Sequence, residues 1–348
     1  MTRRVAAVDC GTNSLRLLVA DVDPDQAQVT DVARRMEIVR LGQGVDATGR
    51  LAPEALARTT GVLRDYAAVI AASGAHAIRM VATSATRDAA NAEEFTRRVT
   101  DVLGVAPEVL TGAEEARLSF TGATAELAAE ADDGLFLVAD IGGGSTEFVL
   151  GTAVLPRGAV LALGGDPPGS PRSWGEAFPP KPPRPPKPPR PLAVSVNIGC
   201  VRMTERHLRG DPPTPEQVCA AVADIDAALD TVSAAVPVRE AGTLIGLAGS
   251  VTTVAGIAMG LPAYDAARIH HARVSTADVH EVTRSLMAQT RAARAAIGVM
   301  HLGRVDVIGG GALVLDRIME RFGFSEVLVS EHDILDGIAW SLAGDSRG

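Results

Sequence analysis

At 348 residues, with 47% apolar but only 3% aromatic side chains, the chain is long enough for two α/β units whose cores are built from small aliphatic residues. A net charge of -9 argues against a general polyanion-binding surface, which is usually basic, so nucleic acid is not an expected partner and any phosphate polymer must be gripped locally. No window approaches ~18 uncharged apolar residues, and Asp9 interrupts the one apolar run near the N-terminus, so neither a membrane span nor a signal peptide is expected and the protein is read as cytoplasmic.

The chain opens with VAAVDCGTNSLRLLVADV, residues 5–22. A buried strand delivers Asp9 to a turn of Gly11, Thr12, Asn13 and Ser14, and a second strand leaves from Leu15. Pro53 then starts a helix on which Leu56, Thr60, Leu63, Ala67 and Ile70 recur at helical spacing, so it covers a sheet face. Residues 76–82 read as the next strand. Thr83, Ser84, Thr86 and Arg87 follow it directly, before a helix that Asn91 is expected to cap and Gly104 to stop. Hydroxyls and a guanidinium at a strand-to-helix junction suit an anion, although a plain capping cluster with a solvated arginine has the same composition. Thr111 and Glu114 form a capping box, which leaves Glu115 without a structural task. Glu115 is therefore either a helix-dipole decoration or a general base facing a cleft.

A second hairpin follows in LFLVADIGGGSTEFVLG, residues 135–151. Its apolar strand ends in Asp140, its turn holds Gly142, Gly143, Gly144, Ser145 and Thr146, and Glu147 stands where the return strand begins. Glycines without Cβ let backbone N–H groups converge on an anion, and Asp140 with Glu147 can hold a divalent cation beside it. A roomy turn with no ligand is the rival reading. The two hairpins echo one another, and a strand–Asp–Gly turn–strand unit repeated once per half is the pattern of two actin-like (ribonuclease H-like) ATPase domains closing over a phosphate chain.

Residues 156–192 are dense in proline and read as an exposed, polyproline II-like insert. Lys181, Arg184, Lys187 and Arg190 recur every third residue, as a basic rail for a polyphosphate tail or as a solvated linker or docking peptide. Beyond it, residues 194–198 resume the sheet, Thr214, Pro215 and Gln217 cap a helix to about Ala235, and residues 243–248 form a strand before GSVTTVAG turns into a helix. His270 and His271 are adjacent rather than spaced for one metal and read as surface or structural. VDVIGGGALVL is expected to end a strand at Gly309, Gly310 and Gly311. Cys10, Cys200 and Cys219 show no metal spacing and are expected to be reduced, mostly buried thiols.

Seven blocks in order, among them AAVDCGTNSLRLLVADV, VATSATRDAANAEEF, LTGAEEARLSFTGA, VADIGGGSTEFVLG and GLAGSVTTVAGI, resemble the exopolyphosphatase and guanosine pentaphosphate phosphohydrolase family. The likeness spans nearly the whole chain and is to its short, two-domain members. It implies an α/β fold with domains at 1–134 and 135–348, a cleft between them, and a final helix that packs back on the first domain. It further implies a Mg²⁺-dependent (or Mn²⁺-dependent) hydrolase with Glu115 as general base and Asp140, Glu147 and Asp9 as metal carboxylates. The phosphate cradle would be Gly11, Thr12, Asn13 and Ser14 opposite Gly142, Gly143, Gly144, Ser145 and Thr146, steadied by Thr83, Ser84 and Arg87. Inorganic polyphosphate or guanosine pentaphosphate would be the substrate, and a homodimer is compatible with the family. A sugar or acetate kinase and a non-catalytic sensor of the nucleotide are the rival classes, separated by whether phosphate is released without an acceptor. The family passes from the second hairpin to NIGCVR through a short turn, so the proline-rich insert is a departure from it.

Overall fold

The computed structural model describes residues 2–127, 134–153 and 191–344. The proline-rich insert with its row of cations lies outside the described residues, except for Pro191 and for Leu192, which already belongs to the sheet. The first half forms β1 (Arg3–Cys10), β2 (Ser14–Asp23) and β3 (Gln28–Ile38), then α1 (Val45–Thr48), α2 (Pro53–Ser73), β4 (Ala77–Ala82), α3 (Ser84–Arg87), α4 (Ala92–Leu103), β5 (Glu108–Val109) and α5 (Gly112–Thr124). The second forms β6 (Leu135–Ile141), β7 (Thr146–Thr152), β8 (Leu192–Val196), α6 (Cys200–Arg206), α7 (Pro215–Ala235), β9 (Thr243–Leu247), α8 (Ala248–Ala258), α9 (Ala266–Ile269), β10 (Arg273–Ser275), α10 (Thr276–Ala288), α11 (Arg291–Ala295), α12 (Ile308–Phe322), β11 (Glu326–Val329) and α13 (Ile334–Gly344).

Two mixed sheets result, in the orders β3-β2-β1-β4-β5 and β10-β11-β9-β6-β7-β8. Each begins with an antiparallel hairpin and adds parallel strands on the other side of its first strand, so the repeat seen in the sequence is a repeat of topology. Strand alternation sorts the side chains. Ala6, Val8, Leu15 and Leu17 pack under α2 and α4 through Leu56, Leu63, Phe95 and Val99, while Val5, Ala7, Leu18 and Ala20 face the opposite way.

What covers that opposite face is a helix from the other end of the chain. Ile334, Leu335, Ile338 and Trp340 of α13 lie on the first sheet, whereas Ala116, Phe120 and Ala123 of α5 lie on Val138, Val149 and Ile245 of the second. Each half therefore lends a helix to its partner's sheet, and the two helices cross in contact. A Cβ on Gly122 would come within 1.8 Å of Asp333 O, and one on Gly337 within 2.1 Å of Leu118 O, so the crossing admits only glycine at both points.

Two local expectations are corrected. Asn91 makes no cap hydrogen bond; its amide instead accepts from Leu51 N–H and donates to Leu51 O, at 2.8 and 3.0 Å, stitching two loops together. Gly309, Gly310 and Gly311 do not end a strand but form the first turn of α12. A Cβ at Gly311 would meet Ser250 Oγ at 2.1 Å, so these glycines let α12 lie close against its neighbours, and that packing outweighs their poor helix propensity. Cys10 and Cys200 are buried and Cys219 is exposed, all three as free thiols.

Candidate active site

The two glycine hairpins meet tip to tip across the boundary between the sheets. Each closes on itself by the same bond, Gly11 N–H to Ser14 O at 3.0 Å and Gly142 N–H to Ser145 O at 3.1 Å. The turns are anchored from behind: Asn13 O accepts from Val39 and Arg40 N–H, while Gly143 O accepts from Val201 and Arg202 N–H. A Cβ on Gly143 would stand 2.8 Å from Thr12 Cβ, so any side chain there would wedge the hairpins apart. Thr12 Oγ1 and Ser84 Oγ, 2.8 Å apart, join the first hairpin to the start of α3.

Between the tips lies a cavity of about 80 Å³. Asp9, Gly11, Thr12, Asn13, Ser14, Thr83, Ser84, Glu115, Asp140, Gly142, Gly143 and Ser145, all singled out from the sequence, share its wall. Arg87, Gly144, Thr146 and Glu147 stand just behind. Arg87 Nη1 donates to Leu110 O at 2.8 Å and to Glu115 Oε2 at 3.2 Å, so it orients the glutamate rather than lining the cavity. Gly144 is packed on Ser84 and Thr12, and the Thr146 hydroxyl donates to Ile198 O. Glu147 is the cross-strand partner of Asp140 and accepts from Ser195 Oγ at 2.7 Å.

The capping box explains how Glu115 arrives there. Glu114 Oε2 accepts from Thr111 N–H at 2.9 Å and Thr111 Oγ1 accepts from Glu114 N–H, which ties the first glutamate to the helix end. Glu115, next on the helix, is buried and faces the cavity. Its pKa is raised well above the ordinary carboxylate range, first by burial and then by Glu147 and Asp140, against the opposing pull of Arg87. Burial is also the chief cause of the shifts at Asp140, pushed up to about 6, and Glu147, to about 7, with neighbouring carboxylates adding to it.

Sequence reasoning missed Arg16, Asp333 and Arg304. Arg16 reaches Asp9 Oδ2 through Nε and Nη2 at 3.0 and 2.7 Å, and its Nη1 bonds Asp333 at the start of the α13 turn. Strand alternation from Ser14 combined with the hairpin register would have found Arg16, because it lies directly opposite Asp9. Nothing local marks Asp333 or Arg304, which long-range packing brings in. Ser119 Oγ donates to Asp140 Oδ2 at 2.6 Å. Asp9 Oδ1, by contrast, is buried with no hydrogen-bond partner, an oxygen left without the donor or cation that such burial requires. The first turn of α8 completes the wall with Gly249, Ser250 and Ala248, whose φ of 69° is unusual for a residue with a Cβ.

Comparison with known proteins settles the family. Residues 18–164 and 187–345 match the model of the Ppx/GppA phosphatase family. The chain belongs to that family. It is 47% identical to exopolyphosphatase 2 of Mycobacterium tuberculosis, over 98% of this chain and 99% of that protein. A solved exopolyphosphatase-like protein, 40% identical, superposes with a TM-score of 0.84 over 98% of both chains. The Aquifex aeolicus family member, 25% identical over the full length of both, gives 0.72. The fold is thus the actin-like two-domain α/β architecture, and the protein is a phosphatase-type hydrolase. Among the described residues no helix is long and apolar enough to cross a membrane.

Proposed function

We propose that this phosphatase is an exopolyphosphatase that removes terminal orthophosphate from inorganic polyphosphate, with Glu115 as general base. The carrying observation is a buried carboxylate, freed from capping and steadied by Arg87, that faces a cavity enclosed by two glycine turns. The donor set suits a hard divalent ion such as Mg²⁺: the unpartnered Asp9 Oδ1 and the carboxylates of Asp140 and Glu147 are all oxygen. When bound, Mg²⁺ would neutralise phosphate and carboxylate charge together, bringing the pKa of Glu115 down toward a range where it works as a base.

In this reading the N–H groups of the two turns and the hydroxyls of Thr12, Ser14, Thr83, Ser84 and Ser145 hold the terminal phosphate. Glu115 takes a proton from water as its oxygen bonds to the terminal phosphorus; the bridging P–O bond breaks, and the shortened chain departs with the electron pair. Arg16, fixed by Asp9 and Asp333, keeps one guanidinium face at the cavity to offset charge on the chain. Phosphate release from a ladder of chain lengths tests the assignment. Glu115→Gln, which keeps size and hydrogen bonding, should lower kcat by roughly 10²- to 10⁴-fold with little change in KM; an unimpaired variant would remove Glu115 from the mechanism.

Guanosine pentaphosphate is the second reading, and one feature favours it. A cavity of about 370 Å³ adjoins the first, shares Arg16, Gly249 and Arg304 with it, and has apolar walls at Met36, Val299 and Met300. Such a space could take a nucleoside while its phosphates lie in the cradle. Release of phosphate from the nucleotide, measured beside polyphosphate, decides between them.

A further inference from the structure

Away from the cleft, three side chains distant in sequence converge. Glu126 follows α5, His270 follows α9 and His332 precedes α13, and a ligand atom of each lies within 4.8 Å of the other two. Glu126 Oε2 is 3.2 Å from His270 Nε2, and Oε1 is 3.3 Å from His332 Nδ1. The rings of His270 and His332 have centroids 4.6 Å apart, and His271 stacks on His270 at 3.8 Å. The hydrogen bond from His270 is the main reason the Glu126 carboxyl is held below its usual range, so the group is anionic at neutral pH.

We propose that Glu126, His270 and His332 form a second metal site, selective for a borderline transition ion such as Zn²⁺, Co²⁺ or Ni²⁺. Two imidazoles and one carboxylate are the donor chemistry of such ions, whereas the all-oxygen cleft suits Mg²⁺. Three protein ligands on three separate segments can close around one ion, and Glu126, with a side chain 51% exposed, leaves the remaining position to water. Loading has a cost. Glu331 N–H approaches His270 Nδ1 at 3.2 Å, so in the metal-free ring the proton sits on Nε2. An ion on Nε2 moves that proton to Nδ1 and gives up the Glu331 contact, so binding is expected to be roughly tenfold weaker than it would be without that contact to lose. The site joins the end of α5 to the segment that continues into Asp333, the residue that holds Arg16 in the cleft.

Co²⁺ titration of the full chain in excess Mg²⁺, which keeps the oxygen site filled, reads this site through visible d–d absorption. One equivalent should bind, and His270→Ala, His332→Ala and Glu126→Gln should each weaken it by roughly tenfold or more. Absence of Co²⁺ binding, or equal binding by the His270→Ala/His332→Ala double variant, overturns the proposal. A measurement on unsubstituted protein guards against loss of fold in a variant. Zn²⁺ should shift the ring-nitrogen resonances of two of the seven histidines, and unchanged imidazole signals would equally refute the site.

Discussion

The two hairpins that face each other in the cleft share a backbone and differ in the residue set opposite the turn's aspartate. In the first, Asp9 pairs in register with Arg16; in the second, Asp140 pairs with Glu147. Burial raises the pKa of Asp9, but the Arg16 charge and hydrogen bonds pull it back. Among the described residues Asp140 and Glu147 have serine partners rather than a cation in direct contact; burial, with Asp333 and Asp9 adding at Asp140 and Asp140 adding at Glu147, lifts them to about 6 and about 7 against weaker pulls from Arg16 and Arg87. One exchange of side chain thus turns a repeated unit into complementary halves: the first is neutralised from within, and the second carries surplus negative charge that a proton at low pH or an added cation relieves.

The comparison breaks most severely at Arg16. Its guanidinium, 18% exposed, is the shared partner of Asp9 and Asp333, and these with Asp140 raise its pKa despite the opposing effect of burial. Arg16→Met keeps much of the volume but leaves two buried carboxylates uncompensated, which should cost about 3–5 kcal/mol of folding stability. Urea unfolding of metal-free protein measures it, and a loss below about 1 kcal/mol would show that the first hairpin does not depend on its internal ion pair.

The second largest effect is a pH dependence that belongs to the other hairpin. Asp140 and Glu147 have pKa values of about 6 and 7 in the native state, against ordinary values of 3.8 and 4.5. Between those limits the folded chain binds more protons than the unfolded one, so the two groups favour folding at low pH and that contribution is lost as pH rises through 6 and 7. Metal-free protein in chelator should accordingly lose about 4 kcal/mol between pH 5 and pH 8, and Mg²⁺ should restore more stability at pH 8 than at pH 5. A flat profile would mean that the second hairpin carries no surplus charge.

Why the hairpins were legible in the sequence, and Arg16 was not, follows from the range of the forces involved. A glycine turn between apolar strands declares itself within a dozen residues, and the capping box of Thr111 and Glu114 separates Glu115 from its neighbour by purely local bonding. Family likeness supplied the cleft. Residues 309–311 carry the same triple glycine as 142–144 yet open a helix, because the decisive contacts come from Ser250 and Cys200, far away in the chain. The return of α13 to the first sheet was expected, but the reciprocal placement of α5 on the second sheet was not legible, since an amphipathic stripe records that a helix is covered but not by which sheet. His270, read together with His271 as surface or structural from their spacing, is joined by Glu126 and His332 only through the fold, so its place in the proposed site left no mark in the sequence.

The finest test changes one member of the acidic pair. Glu147→Gln keeps an oxygen for the Ser195 hydroxyl and preserves the volume of a fully buried side chain, so packing should survive. What disappears is one negative charge facing Asp140 and the cavity glutamate. At pH 8 the metal-free variant should therefore be more stable than the parent by about 1–2 kcal/mol, the opposite sign to Arg16→Met, and its stability should vary less between pH 5 and pH 8. The same loss of charge should raise the Mg²⁺ concentration needed for half-maximal phosphate release. Destabilisation of the metal-free variant at pH 8 would mean that Glu147 earns its place by hydrogen bonding alone, and the contrast between the hairpins would then rest on Asp140 and Asp9.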